Sequence, residues 1–409
     1  MAQLDSAAGF YPDGCRFESC RGRYTIFNTT GELGITGLRG QLTMLATRYH
    51  LNWVMPAEEA MKKLFVLVGS ICLAALIFAA CGSDAVDSDS QQEPDEVTVT
   101  LVTHDSFAIS EGVFESFKAA TGITVEVLTS GDVGSLVTQT ILSENNPVGD
   151  VVYGVDNTFM QRLLNSSALE PYETPALANI PDQFELDPTH NLTPIDYGDV
   201  CVNYWKDALN APVPTSLMDL LSDEYKSTLV VQNPETSSPG MAFLLATIAG
   251  TPDWEEFWKQ LRTNDVTVTN SWEAAYYGDF IAGGGTRPMV VSYASSPVAE
   301  LIYADPPVDE PPTGVLLDSC FRQVEFAGVL AGTSHPSAAR KLIDFLLSDT
   351  FQNEIPMNMF MYPASSTAEL PPEFAQHSEI TDSPLSLSPT EIEANRQNWT
   401  ERWVEIVLG

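Results

Sequence analysis

An α/β fold in two domains is what this sequence predicts, on three observations. The chain has 409 residues, more than one compact domain usually holds. Residues 97–156 read as strand, helix, strand, helix, strand, the pattern of a parallel α/β unit. A second α/β run, residues 229–296, brings polar and aromatic residues to strand ends, where open α/β sheets hold their ligands.

Composition narrows the function classes. At 44% hydrophobic residues the chain can bury a sizeable core. It carries 19 basic against 55 acidic residues, a net charge of −36. Neutralising phosphates takes lysine and arginine, so nucleic acid is excluded as a partner. The acidity suits a soluble protein outside the cytoplasm, or a cationic ligand.

The first sixty residues show no periodicity that fits a helix or strand, and residues 1–60 are expected to be a mistranslated upstream extension. From Met61 the text becomes coherent. Lys62 and Lys63 precede an apolar run from Leu64 to Phe78, then Ala79, Ala80 and Cys81. This is the layout of a secretory signal peptide over residues 61–80. It resembles a bacterial lipoprotein signal, with Phe78 where leucine is preferred, and implies Cys81 as the lipidated first residue. The apolar run is short for a membrane-spanning helix. Residues 81–96 (CGSDAVDSDSQQEPDE) hold almost no apolar side chain and read as a disordered tether.

The folded part begins with an alternating strand, VTVTLV at 97–102. A helix over about 111–120 follows, burying Val113, Phe114 and Phe117 and stopped by Gly122. A second strand spans 123–128, and a third 150–154 leads into Val155-Asp156-Asn157. A β-rich run opens at Asp196-Tyr197-Gly198-Asp199. The strand 229–232 ends in NPETSSPG, just before the apolar helix 241–249. Ser237 and Ser238 thus stand at a helix start, either to meet a polar ligand group or simply to cap the helix.

Residues 266–297 then form the centre of interest. A strand reaches Trp272, a short helical segment and the glycines at 283–285 follow, and a strand over 288–292 delivers Tyr293, Ala294, Ser295 and Ser296. Two aromatics with hydroxyls beside them can make a stacking wall, although the same residues could be ordinary half-buried aromatics. A strand over 321–331, a helix over 337–347, and a terminal helix over 390–407 with Trp399 and Trp403 four apart complete the pattern.

Read in order, HDSFA at 104, DVGS at 132, VDN at 155, DYGD at 196 and NPETSSPG at 233 resemble one family. VTVTNSWEAAY at 266, SYASSP at 292, QVEFAG at 323 and MYP at 361 continue the match. The chain is similar to the thiamine-binding proteins of bacterial thiamine ABC importers. The resemblance implies a type II solute-binding fold, two α/β lobes joined by hinge strands with a ligand cleft between. Lobe I would be 97–198 and 325–364, and lobe II 199–324 and 365–409. It implies a ligand-binding set of His104, Asp105, Asp132, Val133, Asp156, Tyr197, Ser237, Trp272, Tyr293, Ala294, Ser295, Ser296 and Phe360. Trp272 and Tyr293 would stack on the ligand rings, and Ser237 would meet the hydroxyl or phosphate end. His104 stands where the family prefers Tyr, Glu111 near a Trp, Ala299 at a Tyr and Phe360 at a Trp.

The expected partners are thiamine or a thiamine phosphate, the membrane permease of an ABC importer, and the membrane through the lipid anchor. A monomer is expected, without cofactor, metal or enzymatic activity. The alternative in the same fold is a ferric-iron carrier, for which Tyr276, Tyr277 and His104 could supply ligands. A hydrolase has less support, since no G-x-S-x-G or H-E-x-x-H motif occurs. Cys201 and Cys320, left over after Cys81, suggest a disulfide between the hinge strands, or else two buried thiols.

Overall fold

The computed structural model describes residues 96–409. The expected upstream extension, signal peptide, Cys81 and nearly all of the tether lie outside the described residues.

Among the described residues, ten strands join in a single sheet. They are β1 (Val97–Thr103), β2 (Ile123–Thr129), β3 (Val151–Asp156), β4 (Leu169–Glu170), β5 (Thr193–Trp205), β6 (Leu229–Gln232), β7 (Thr267–Thr269), β8 (Met289–Tyr293), β9 (Thr313–Leu330) and β10 (Tyr362–Pro363). The main path runs β2-β1-β3-β9-β5-β8-β6-β7. One half is the parallel set β2-β1-β3, and the other has β6 parallel to both β7 and β8.

The two halves are linked by the longest strands. β9 pairs antiparallel with β3 through its second half (Val151 opposite Val329), and its first residues pair with the end of β5 (Trp205 opposite Thr313). β5 in turn pairs with β8. Both strands therefore pass from one half of the sheet to the other. β9 begins eight residues before the start expected from sequence, because exposed Leu317 and Asp318 interrupt its alternation.

That interruption is a bulge. Val200 faces Phe321 while Val202 faces Leu316, so β9 carries extra residues at this point. The amide of Val202, deprived of its ladder partner, donates instead to Ser319 Oγ at 2.8 Å. Cys201 and Cys320 are joined here by a disulfide, their Cα atoms 4.2 Å apart.

The α-helices of five residues or more, among the described residues, are α1 (Val113–Thr121), α2 (Val133–Leu142), α3 (Met160–Leu164), α4 (Ser238–Gly250), α5 (Trp254–Thr263), α6 (Ser296–Ile302), α7 (Pro336–Leu346), α8 (Pro372–His377) and α9 (Pro389–Val407). α4, SPGMAFLLATIAG, is apolar all round and correspondingly buried from Ser238 to Thr247. Truncating one of its buried leucines, such as Leu245, is expected to cost about 2–5 kcal/mol.

α9 closes the molecule across both halves. Trp403 is buried edge-on against Trp258 of α5, with ring centroids 5.5 Å apart. Nearer the start of the same helix, Arg396 donates to the Thr158 carbonyl at 2.9 Å and lies over the Phe159 ring. Trp399 is only half-buried.

Candidate functional site

Between the sheet halves lies a cavity that opens to solvent. One wall is aromatic. Ser271 caps the turn before it, accepting from the Ala274 amide at 3.1 Å, and so starts a helical turn at Trp272. The chain then winds more loosely, as a π-helical turn over Ala275–Asp279. Gly285 is required nearby, because a Cβ there would meet the Asp279 carbonyl at 2.0 Å. This local winding turns both Tyr276 and Tyr277 into the cavity beside Trp272.

Trp272 stacks on Tyr276 (centroids 5.0 Å, planes 24° apart) and meets the edge of Tyr277. Its indole N–H donates to Ser292 Oγ at 2.9 Å, which fixes the ring's orientation. Tyr293, at the end of β8, is 6.4 Å away and tilted by 58°. Phe360 also lines the cavity, with Met359 and Met361 beside it in the chain.

Acidic groups line the same space. Asp132 caps α2 by accepting from the Val133 amide at 2.7 Å. It also reaches across to the other half of the sheet, accepting from the amides of Ser238 (3.3 Å) and Trp272 (3.1 Å). Beside it, the Gly134 amide donates to the Thr236 carbonyl at 3.0 Å. Burial pushes the Asp132 pKa up and Asp105 adds to that. The Ser237 hydroxyl and the backbone amides pull the other way without reversing it.

Glu325 of β9 and His104 form a buried pair, His104 Nε2 lying 3.5 Å from the carboxylate. Gln323 Nε2 donates to Glu325 at 2.8 Å and stands 3.3 Å from the Tyr293 hydroxyl. Gly154 makes room for the imidazole: its φ is +93°, and a Cβ there would lie 2.1 Å from the His104 ring. Burial pulls the His104 pKa down, but the Glu325 carboxylate, with Asp132 and Asp105, outweighs it and raises the pKa to about 9. At neutral pH the His104 imidazole is therefore protonated.

Of the residues expected at the site, His104, Asp132, Val133, Trp272, Tyr293, Ser296 and Phe360 line the cavity. Asp105, Asp156, Tyr197, Ser237, Ala294 and Ser295 do not. Asp156 is fully buried at the end of β3 and serves the frame, accepting from Thr158 Oγ1 (2.9 Å), the Phe159 amide (3.1 Å) and Ser238 Oγ. Burial raises its pKa to about 7, although the hydroxyls of Ser238 and Thr158 oppose this. Tyr197 stacks between Phe184 and Tyr362. Ser237 is buried as the residue before α4. Ala294 packs on the disulfide, and Ser295 Oγ donates to the Phe360 carbonyl.

The cavity also draws on residues outside the expected set. Glu325, Glu273, Tyr276 and Tyr277 are the main ones, joined by Ser106, Ser238 and Asn358. A signal for Tyr276 was present in its spacing four residues after Trp272, one helical turn on. Ala299 also faces the cavity, leaving open the space a larger side chain would fill. Among the described residues, no group of three or more His, Cys, Asp or Glu side chains is placed to hold a metal ion. The chemistry available is recognition of a cationic, aromatic molecule by π faces and carboxylates.

Comparison with known proteins gives the same direction. The family profile described as "Bacterial extracellular solute-binding protein" matches residues 146–385. The thiamine-binding periplasmic protein of Escherichia coli (strain K12) is 30% identical over 316 residues, covering 76% of this chain and 93% of that protein. Its counterpart in Haemophilus influenzae is 28% identical over 341 residues, covering 80% and 96%. A solved periplasmic thiamin binding protein superposes with a TM-score of 0.67 at 28% identity, over 76% of this chain and 96% of that one. Iron-bound HitA from Pseudomonas aeruginosa superposes at 0.63 with 20% identity, over 76% and 99%, a likeness of fold.

Proposed function

Because the chain belongs to the bacterial extracellular solute-binding protein family, with the type II fold of two α/β lobes joined by hinge strands, we propose that it captures thiamine outside the cytoplasm and delivers it to the permease of an ABC importer. The observation that carries this reading is the cavity itself. Trp272, Tyr277 and Tyr293 offer π faces, with Tyr276 backing Trp272, while Asp132, Glu273 and Glu325 offer negative charge. A thiazolium cation linked to an aminopyrimidine needs both. The thiamine-binding relatives support the same ligand.

The role is binding and transport rather than catalysis. We assign lobe I to residues 97–198 and 325–364, and lobe II to 199–324 and 365–409, with β5 and β9 as the hinge strands. The contact residues for the ligand are the seven expected ones that line the cavity, joined by Tyr276, Tyr277, Glu273 and Glu325. The protein acts as a monomer held to the membrane by lipid on Cys81, a reading supported by the Phe78-Ala79-Ala80-Cys81 sequence.

Isothermal titration of the purified chain with thiamine tests the ligand, and native mass spectrometry shows what co-purifies. No heat of binding and no co-purified thiamine would refute it. Iron is a weaker reading. The Tyr276 hydroxyl donates to Glu300 at 2.7 Å, and Trp272 covers its ring. Iron bound by phenolates absorbs visible light, so a coloured protein would favour that carrier instead.

A further inference from the structure

Phe360 reaches the cavity from a backbone conformation that few bulky side chains adopt. It follows the one-turn helix Ile355–Asn358, whose cap is Met359. Its φ is +54°, in the left-handed region where glycine is the usual residue just past a helix end. A large side chain there carries a backbone cost that the surrounding structure has to hold in place. Phe360 is nonetheless buried, and it lines the cavity.

Part of what holds it comes from the lobe assigned above as the opposite one. Ser295 stands at the start of α6, where a serine hydroxyl ordinarily accepts from an amide of the first helical turn. This serine makes no such cap. Its Oγ donates instead to the Phe360 carbonyl, 65 residues further along the chain, and both residues are buried. The residues that follow Ser295 complete the seat. Val298 is buried in one cluster with Phe360, and Ala299 packs against that cluster. Tyr303, just past α6, meets the Phe360 ring at 71°, with centroids 6.1 Å apart.

From these contacts we propose that Ser295 is a positioning residue for ligand binding: its hydroxyl holds the Phe360 carbonyl from across the cleft, keeps that residue left-handed, and so sets its ring at the cavity wall. The proposal rests on the thiamine reading above and refines it. Ser295 does not line the cavity itself, so its influence on a ligand passes through Phe360. A hydroxyl spent on capping α6 would leave the carbonyl without this bond and the ring free to turn away.

The test is a double-mutant cycle on the full chain, read by calorimetric titration with thiamine. Ser295→Ala should weaken binding roughly 3- to 10-fold, the worth of one buried hydrogen bond. Phe360→Ala should weaken it by at least as much. In the Phe360→Ala background, Ser295→Ala should cost little further affinity, because the ring it positions is gone. A merely structural role at the start of α6 would lower affinity alike in both backgrounds, and that result overturns the proposal. Wild-type affinity in either single variant overturns it as well, while leaving the thiamine reading intact. Should Ser295→Ala fail to fold, Ser295→Gly, tolerated at a helix start, takes its place in the same cycle. Phe360→Leu likewise stands in for Phe360→Ala. Absence of thiamine binding by the wild-type chain overturns both readings, and the first titration alone reveals it.

Discussion

The carboxylate of Asp132 lies 3.1 Å from the backbone nitrogen of Trp272, 140 residues further along the chain. One short side chain thereby ties the start of α2 to the aromatic wall of the opposite lobe. Hydrogen bonds to a charged group contribute roughly 1.5–3 kcal/mol each. Asp132→Ala removes three of them. Thiamine affinity should fall by about 10-fold or more, and the melting temperature should drop with it. Calorimetry and thermal denaturation of the variant check both effects.

Trp272 presents the largest ring in the cavity, held by Tyr276 behind it and Ser292 beside it. Stacking on such a ring is worth roughly 1–3 kcal/mol. Trp272→Ala should therefore weaken thiamine binding about 5- to 150-fold. An unchanged dissociation constant would remove Trp272 from the contact set.

Gly134 sits where the lobes touch. A Cβ there would lie 2.7 Å from the carbonyl oxygens of both Glu235 and Thr236. Overpacking of this kind costs typically 1–3 kcal/mol. In Gly134→Ala that cost falls on the closed arrangement, since an open cleft relieves the clash. The variant should keep its circular dichroism and melting temperature but bind ligand about 5- to 150-fold more weakly. Small-angle scattering with ligand present should show a more open particle than wild type.

Two buried groups make stability fall as pH rises. His104 has a folded-state pKa of about 9 against an ordinary 6.5. Its contribution is fully present below the ordinary value and is lost as pH rises through about 9. Asp156, raised by burial from 3.8 to about 7, acts with the same sign at lower pH, its contribution lost as pH rises through about 7. Denaturant midpoints should thus decline from about pH 4 to about pH 9. Proton NMR should report the His104 titration near 9, and Glu325→Gln should lower it. An imidazole that titrates at its ordinary value would contradict the buried pair.

Loss of the disulfide should be costly because its loop is long. The chain-entropy account gives on the order of 4–5 kcal/mol for a separation of 119 residues. Paired Cys201→Ser and Cys320→Ser substitution, or reduction, should lower the urea midpoint. Reduction that leaves the midpoint unchanged would show that packing alone holds the bulge.

Much of this architecture is legible in the sequence, and for identifiable reasons. The strands at 97, 123 and 151 alternate or run apolar over short lengths, and α4 is too uniformly hydrophobic to be anything but buried. Trp272 and Tyr293 stand out because they end such segments. Glu325 does not, since in QVEFAG it reads as one polar residue in an alternating strand. Only its pairing with His104, more than two hundred residues earlier, shows that it faces the cavity. Tyr276 and Tyr277 read as ordinary helix, while the loosened winding that turns both inward depends on contacts with the later glycines. Asp156 and Tyr197 mislead in the opposite way. Both stand in polar stretches of sequence that look like ligand sites, yet one serves the turn that follows it and the other an aromatic stack.

The bond between Cys201 and Cys320 has a topological consequence. It closes the intervening sequence into a covalent ring, and that ring contains Ser238, Trp272, Tyr276, Tyr277 and Tyr293. A protease that cuts the backbone once anywhere inside the ring merely opens it, and the two fragments stay attached at β5 and β9. A nick in a surface turn of that lobe would leave the molecule with its full mass on a non-reducing gel, and the break would appear only with reductant. The part of the protein that carries most of the aromatic wall is thereby protected against dissociation after a single cleavage.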